Sequence, residues 1–132
     1  MKKDHLRDYC MNAFRTYAAA GRPTGESAAI VTCDYGALAD IIAVMRTLEK
    51  LAKRRDGDLI LRCVELVYFI MPSRKLEKNE ISERVIAASV ALHTGEATVY
   101  RKLRIARHEF AFVRGLNVGE AGGRVEVTED AI

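Results

Sequence analysis

Two apolar stripes at helical spacing, set on either side of a short His93-Thr94-Gly95-Glu96 corner, constrain this chain more than any other feature. Ile81, Val85, Ala88 and Leu92 fall at i, i+4, i+7 and i+11, which lines them up on one side of an α-helix. Val99, Leu103, Ala106 and Phe110 repeat that spacing. Both stripes must leave water, and a corner this short lets them do so only against each other and a third helix. Residues 59–71 are the expected third wall. Leu59, Cys63, Leu66 and Ile70 would occupy one side, and Ile60, Val64, Val67 and Met71 the next, as in a helix covered from two directions. A buried strand fits such a run as well, but its length and the strong helical patterns around it favour a helix that ends at Pro72.

The same geometry fixes what stays outside. At about 100° per residue, Ala97, Arg101, Arg104 and His108 lie opposite the second stripe, with Thr98 and Tyr100 on its shoulders. Residues 97–108 contain Arg101, Lys102, Arg104 and Arg107 and no acid, so this segment carries +4 in a chain whose formal charge is +3. By stretch, residues 1–40 sum to 0, 41–71 to +2, 72–108 to +4 and 109–132 to −3. Such an asymmetry suits a face that approaches phosphate, although solvated helices carry similar runs.

The remaining segments read as scaffold. Residues 4–20 form an amphipathic pattern through Leu6, Cys10, Ala13, Phe14 and Tyr17, closed by Gly21 and Pro23. A helix is expected over residues 24–33, with a break near Gly36. The next stripe, Leu38, Ile41, Ile42, Met45, Leu48 and Ala52, predicts a long helix that ends at the 54–58 corner. Arg74, Lys75 and Lys78 fill the loop before the first stripe, where the amides of a helix start also favour phosphate. After Leu116 the glycines and acids predict a loose tail, with Arg124-Val125-Glu126-Val127-Thr128 alternating as a short strand would.

With 49% apolar and 30% charged residues the chain has the composition of an ordinary globular protein, and its length suits one domain with a real core. The longest apolar run, residues 66–71, is far too short to span a bilayer, and a cytoplasmic location is expected. Cys10, Cys33 and Cys63 lack the paired spacing of a metal or redox site and read as buried free thiols. His5, His93 and His108 are scattered, Ser82 and Ser89 sit inside helical patterns, and no Gly-rich phosphate loop follows a strand. No convergent constellation points to catalysis, a metal or a cofactor, so a non-enzyme is expected.

The stretch LHTGEATVYRKLRIARHEFAFVRG, residues 92–115, is similar to the helix-turn-helix of prophage-borne regulators of the ArpU type and, more distantly, to the region-four domain of bacterial sigma factors. The likeness covers residues 59–116, with a fainter one around AFRTYAAAGRPTGE. It implies an all-α chain in which N-terminal helices, residues 1–58, pack on a trihelical helix-turn-helix unit, residues 59–116, followed by an acidic tail, residues 117–132. It further implies a sequence-specific regulator that reads the major groove of double-stranded DNA with helix 96–113. Val99 and Leu103 become buried anchors. Glu96, Thr98, Tyr100, Arg101 and Arg104 become groove-facing, and Lys102, Arg107 and Lys78 complete the DNA-contact set. Arg101 and Arg104 would meet guanine edges or phosphate; a solvated helix face is the plain alternative. Tyr100 and Thr98 have equally plain alternatives, the edge of the core and the start of the helix, and a surface role is expected for His108.

His93 stands where glycine is commonest in such corners, Thr94 where an aliphatic plug is usual, and Gly95 where a serine cap is frequent. A left-handed His93 accommodates the first difference. The others predict a looser corner, or a cap shifted to Thr94. Since no promoter-melting domain fits before residue 59, the N-terminal helices are expected to form a homodimer interface or to contact RNA polymerase. A phage-packaging DNA-recognition subunit, and a protein-interaction adaptor without DNA binding, are the alternatives.

Overall fold

In the computed structural model, residues 5–30 and 34–116 are described, except for the side chains of residues 28–30. They form five α-helices: α1 (His5–Ala19), α2 (Tyr35–Ala52), α3 (Gly57–Tyr68), α4 (Glu80–Ala91) and α5 (Glu96–Arg114). No strand occurs among the described residues, so the described part of the chain is all-helical. The tail and its strand-like alternation lie outside them.

Three local expectations are corrected. Where a helix is expected over residues 24–33, the described residues, 24–30, form a 3₁₀ turn, Gly25–Ile30. Its start is diverted by Gly25 at φ +58 and by Ser27, whose hydroxyl donates to the Thr24 carbonyl at 2.5 Å and accepts from the Thr24 amide at 3.1 Å. Gly36 does not break the chain. It lies in the first turn of α2, which Asp34 caps by accepting from the Ala37 amide at 3.0 Å. The helix expected over residues 59–71 is shifted to Gly57–Tyr68. Pro72 disfavours helical backbone at Met71, which takes φ +46, and arginines from other segments donate to the Val67 carbonyl in the last turn and to the Met71 carbonyl beyond it.

Phe14 of α1 marks the centre of the core. It stacks on Tyr68 of α3 at 5.6 Å between centroids and packs on Phe110 of α5 at 5.7 Å. One buried cluster draws on all five helices, so residues before and after 58 share a single core. The second sequence stripe, Val99, Leu103, Ala106 and Phe110, is wholly buried. Of the first, Val85 and Ala88 are buried while Ile81 and Leu92 are half-buried at its ends. Cys10 and Cys63 are buried, the Cys10 thiol donating to the Arg107 carbonyl at 3.7 Å, and burial pushes the Cys63 pKa up; Cys33 is outside the described residues. No helix among the described residues is long and apolar enough to cross a membrane.

α3 and α5 each pack against all the other α-helices, whereas α4 packs only on α3 and α5. α5 runs antiparallel to α2, as the order of its ion pairs shows: Arg114 with Asp40 at 2.8 Å, Glu109 with Lys50 at 2.7 Å, and Lys102 with Asp56 at 2.9 Å. The α2–α3 junction depends on Gly57, because a Cβ there would strike the Leu51 carbonyl oxygen.

The start of α4 is fixed by charge. Glu80 accepts from the Glu77 amide at 2.8 Å, from Arg74, and from Arg84 at 2.9 Å. Arg84, 9% exposed, also donates to the Val67 carbonyl at 2.8 Å. The Glu77 amide, followed by Arg74, holds the Glu80 carboxyl down to about 2 from an ordinary 4.5. A carboxyl held low in the folded state stabilises it fully above the unfolded pKa, and that stabilisation is lost as pH falls toward the folded value. Denaturation midpoints are therefore expected to fall as pH drops from 4.5 toward about 2. Glu80→Gln should remove that part of the slope, and urea titrations of both proteins across this window check it.

Candidate nucleic-acid interface

The corner between α4 and α5 is closed by backbone hydrogen bonds. His93 takes φ +54, the left-handed conformation its position demands, and donates to the Val90 carbonyl at 3.2 Å. The Thr94 amide reaches back to the Ser89 carbonyl at 3.0 Å. These two bonds make a Schellman turn, which satisfies the last carbonyls of α4 and turns the chain sharply. Gly95 is the N-cap of α5, with extended backbone and no side-chain cap bond. The cap has thus not shifted to Thr94, whose amide is engaged in the turn, and the corner is tight rather than loose. A residue with a Cβ pays for left-handed backbone, so His93→Gly is expected to raise stability by about 1 kcal/mol. Chemical denaturation measures this.

On α5, Ala97, Tyr100, Arg101 and Arg104 are exposed, opposite the buried stripe. Glu96 is exposed at the start of the helix. Arg101 donates to the Thr98 hydroxyl at 3.1 Å, which orients its guanidinium along the helix N-terminal half; Thr98 itself is half-buried. The remaining sequence candidates separate from this group. Lys102 turns to the side and donates to Asp56, whose carboxyl is raised by burial but lowered further by bonds from Lys102 and Arg54, for a net downward shift. Arg107 points inward and donates to the Tyr68 hydroxyl at 2.9 Å. Both cations are engaged within the fold. His108 is half-buried rather than on open surface.

Lys78 is exposed in the loop before α4. The first turn of α4 is near α5, because Ile81 and Ser82 line a cavity of about 350 Å³ together with Tyr100, Leu103 and Arg107. Arg7 of α1 lines the same cavity, its guanidinium 3.6 Å from Asp8. Sequence spacing misses Arg7, since nothing local links it to Tyr100, Leu103 and Arg107 of α5. The outer side of α4 is different in character: Ile86, Ala87, Val90 and Ala91 are all exposed.

The outward side of α5 therefore carries two exposed guanidiniums, Arg101 and Arg104, and such a side is attractive to anions. No group of three or more His, Cys, Asp or Glu side chains among the described residues is arranged to hold a metal. No family model matches the chain, and no curated protein or solved structure matches it.

Proposed function

We propose that this chain is a sequence-specific DNA-binding regulator in which α3, α4 and α5 act as a helix-turn-helix unit and the N-terminal half of α5 enters the major groove. The observation that carries the reading is the exposure of Arg101 and Arg104, with Tyr100 beside them, on the helix that follows the Schellman corner. Arg101 and Arg104 supply base-edge or phosphate contacts, Lys78 a phosphate contact at the start of α4, and Glu96, Thr98 and Tyr100 adjust fit at the entry of the helix. Lys102 and Arg107 act indirectly, by holding α5 against Asp56 and Tyr68. The likeness of residues 92–115 to prophage regulators of the ArpU type supports the same assignment.

Phosphate contacts from Arg101, Arg104 and Lys78 imply a plot of log affinity against log salt concentration with a slope of about −3, since each neutralised phosphate contributes about −0.9. Fluorescence anisotropy with a labelled duplex over a salt series measures it. Affinity that does not change with salt would contradict the reading.

A second reading has one observation in its favour. Val90 is 69% exposed and Ile86 47%, beside Ala87 and Ala91, and such an apolar stripe suits a protein partner. In a regulator this stripe serves a second copy of the chain or RNA polymerase; in an adaptor it would be the whole function. Retention of duplex binding separates the two.

A further inference from the structure

Because α4 packs only on α3 and α5, one long side of it faces out. That side is apolar where a solvent face should carry charge. Ile86, Ala87, Val90 and Ala91 are all exposed, and Val90, at 69%, is the most exposed large aliphatic side chain among the described residues. At 3.6 residues per turn the four fall on one stripe. No charged residue interrupts the chain from Ile86 to Ala91, while Glu83 and His93, both exposed, mark the two ends.

The order of sizes along the stripe points to its cover. In each turn a branched residue precedes a small one: Ile86 before Ala87, then Val90 before Ala91. A second α4 laid antiparallel, with a two-fold axis passing between residues 88 and 89, sets Ile86 opposite the partner's Ala91 and Ala87 opposite the partner's Val90. Each branched side chain then fills the space above an alanine, and the same contacts recur across the axis. A parallel pair would instead press Ile86 on Ile86 and Val90 on Val90, and leave the alanines facing across a gap. Charge makes the same choice. In the antiparallel pair Glu83 comes opposite the partner's His93-Thr94 corner, which holds no acid, whereas a parallel pair brings Glu83 onto Glu83.

We propose that the Ile86–Ala91 side of α4 binds a second copy of this chain in an antiparallel, two-fold helix pair. The stripe is complementary to itself in both size and charge, a match that a different protein would not require. The contact is small. Four apolar side chains per copy cover less than the roughly 800 Å² per partner of a standard interface, so a dissociation constant on the order of 100 µM is expected. The inference does not rest on the DNA reading; if that reading holds, the pair presents two copies of α5 related by the same axis.

Sedimentation equilibrium of the full chain without DNA, from about 10 µM to about 1 mM, is expected to show monomer passing into dimer and no larger species. Val90→Asp should stay monomeric throughout, because the pair would bury a carboxylate with no counter-charge. Ala87→Val sets valine against valine and should weaken association about tenfold. Ala87→Val/Val90→Ala exchanges the two sizes and should restore the parent's constant. Both positions are exposed, so circular dichroism and melting temperature should not change in any of the three. Arg101→Ala/Arg104→Ala should dimerise as the parent does, which separates failure here from failure of the α5 reading. A monomer at every concentration overturns the proposal and assigns the stripe to a different protein. A dimer that survives Val90→Asp, or a double variant no tighter than Ala87→Val alone, overturns it as well.

Discussion

Alanine at both Arg101 and Arg104 is expected to weaken duplex binding by about 100-fold or more at fixed salt, because each arginine contact to a base edge or phosphate is worth roughly 1–3 kcal/mol. Both residues are exposed, so circular dichroism and the melting temperature should stay close to those of the parent protein. The single variants assign the roles. An arginine that reads a guanine edge costs affinity for the preferred site and little elsewhere. One that holds phosphate weakens every duplex alike and lowers the salt slope by about 0.9. Lys102→Ala gives the contrast: its ammonium is committed to Asp56 at 2.9 Å, so its loss should reach DNA only through the seating of α5 on the α2–α3 junction.

Arg84→Ala should cost about 3 kcal/mol of stability, the largest stability loss expected of any change considered. Arg84 spends one nitrogen on the Val67 carbonyl near the end of α3 and another on Glu80 at the start of α4, and its side chain is 9% exposed. Removing it leaves a buried carbonyl without its donor and takes one of two guanidiniums from Glu80. Arg84→Lys should recover only part of the loss, because an ammonium does not offer the planar fork that spans both acceptors. Arg22→Ala provides the reference. Its bond to Glu65 is 2.8 Å long, but both side chains are well exposed, and a cost below about 1 kcal/mol is expected. Urea denaturation at neutral pH measures all three.

Periodicity reached furthest where packing and spacing agree. The stripe on α5 is legible because Val99, Leu103, Ala106 and Phe110 are all buried, and the same count correctly places Arg101 and Arg104 outside. The left-handed His93 was readable from its place in the corner. Spacing fails where a partner distant in sequence decides. Lys102 and Arg107 look like members of the cationic face, yet Asp56 and Tyr68 draw them inward. The start of α4 reads as a simple basic loop, whereas Glu80 gathers Arg74 and Arg84 and influences Arg15 from α1. Local side-chain chemistry accounts for the other differences: Ser27 bonds its own turn at residues 24–27, and Asp34 starts α2 before the apolar stripe begins.

The reading of α5 as a recognition helix is tested most directly by selection from a pool of random duplex DNA across a salt series, with Arg101→Ala/Arg104→Ala run in parallel. Enrichment of one sequence by the parent protein, absent with the double variant, is the expected result and would also supply the preferred site. No binding at low salt, where nonspecific phosphate contacts are strongest, would contradict it.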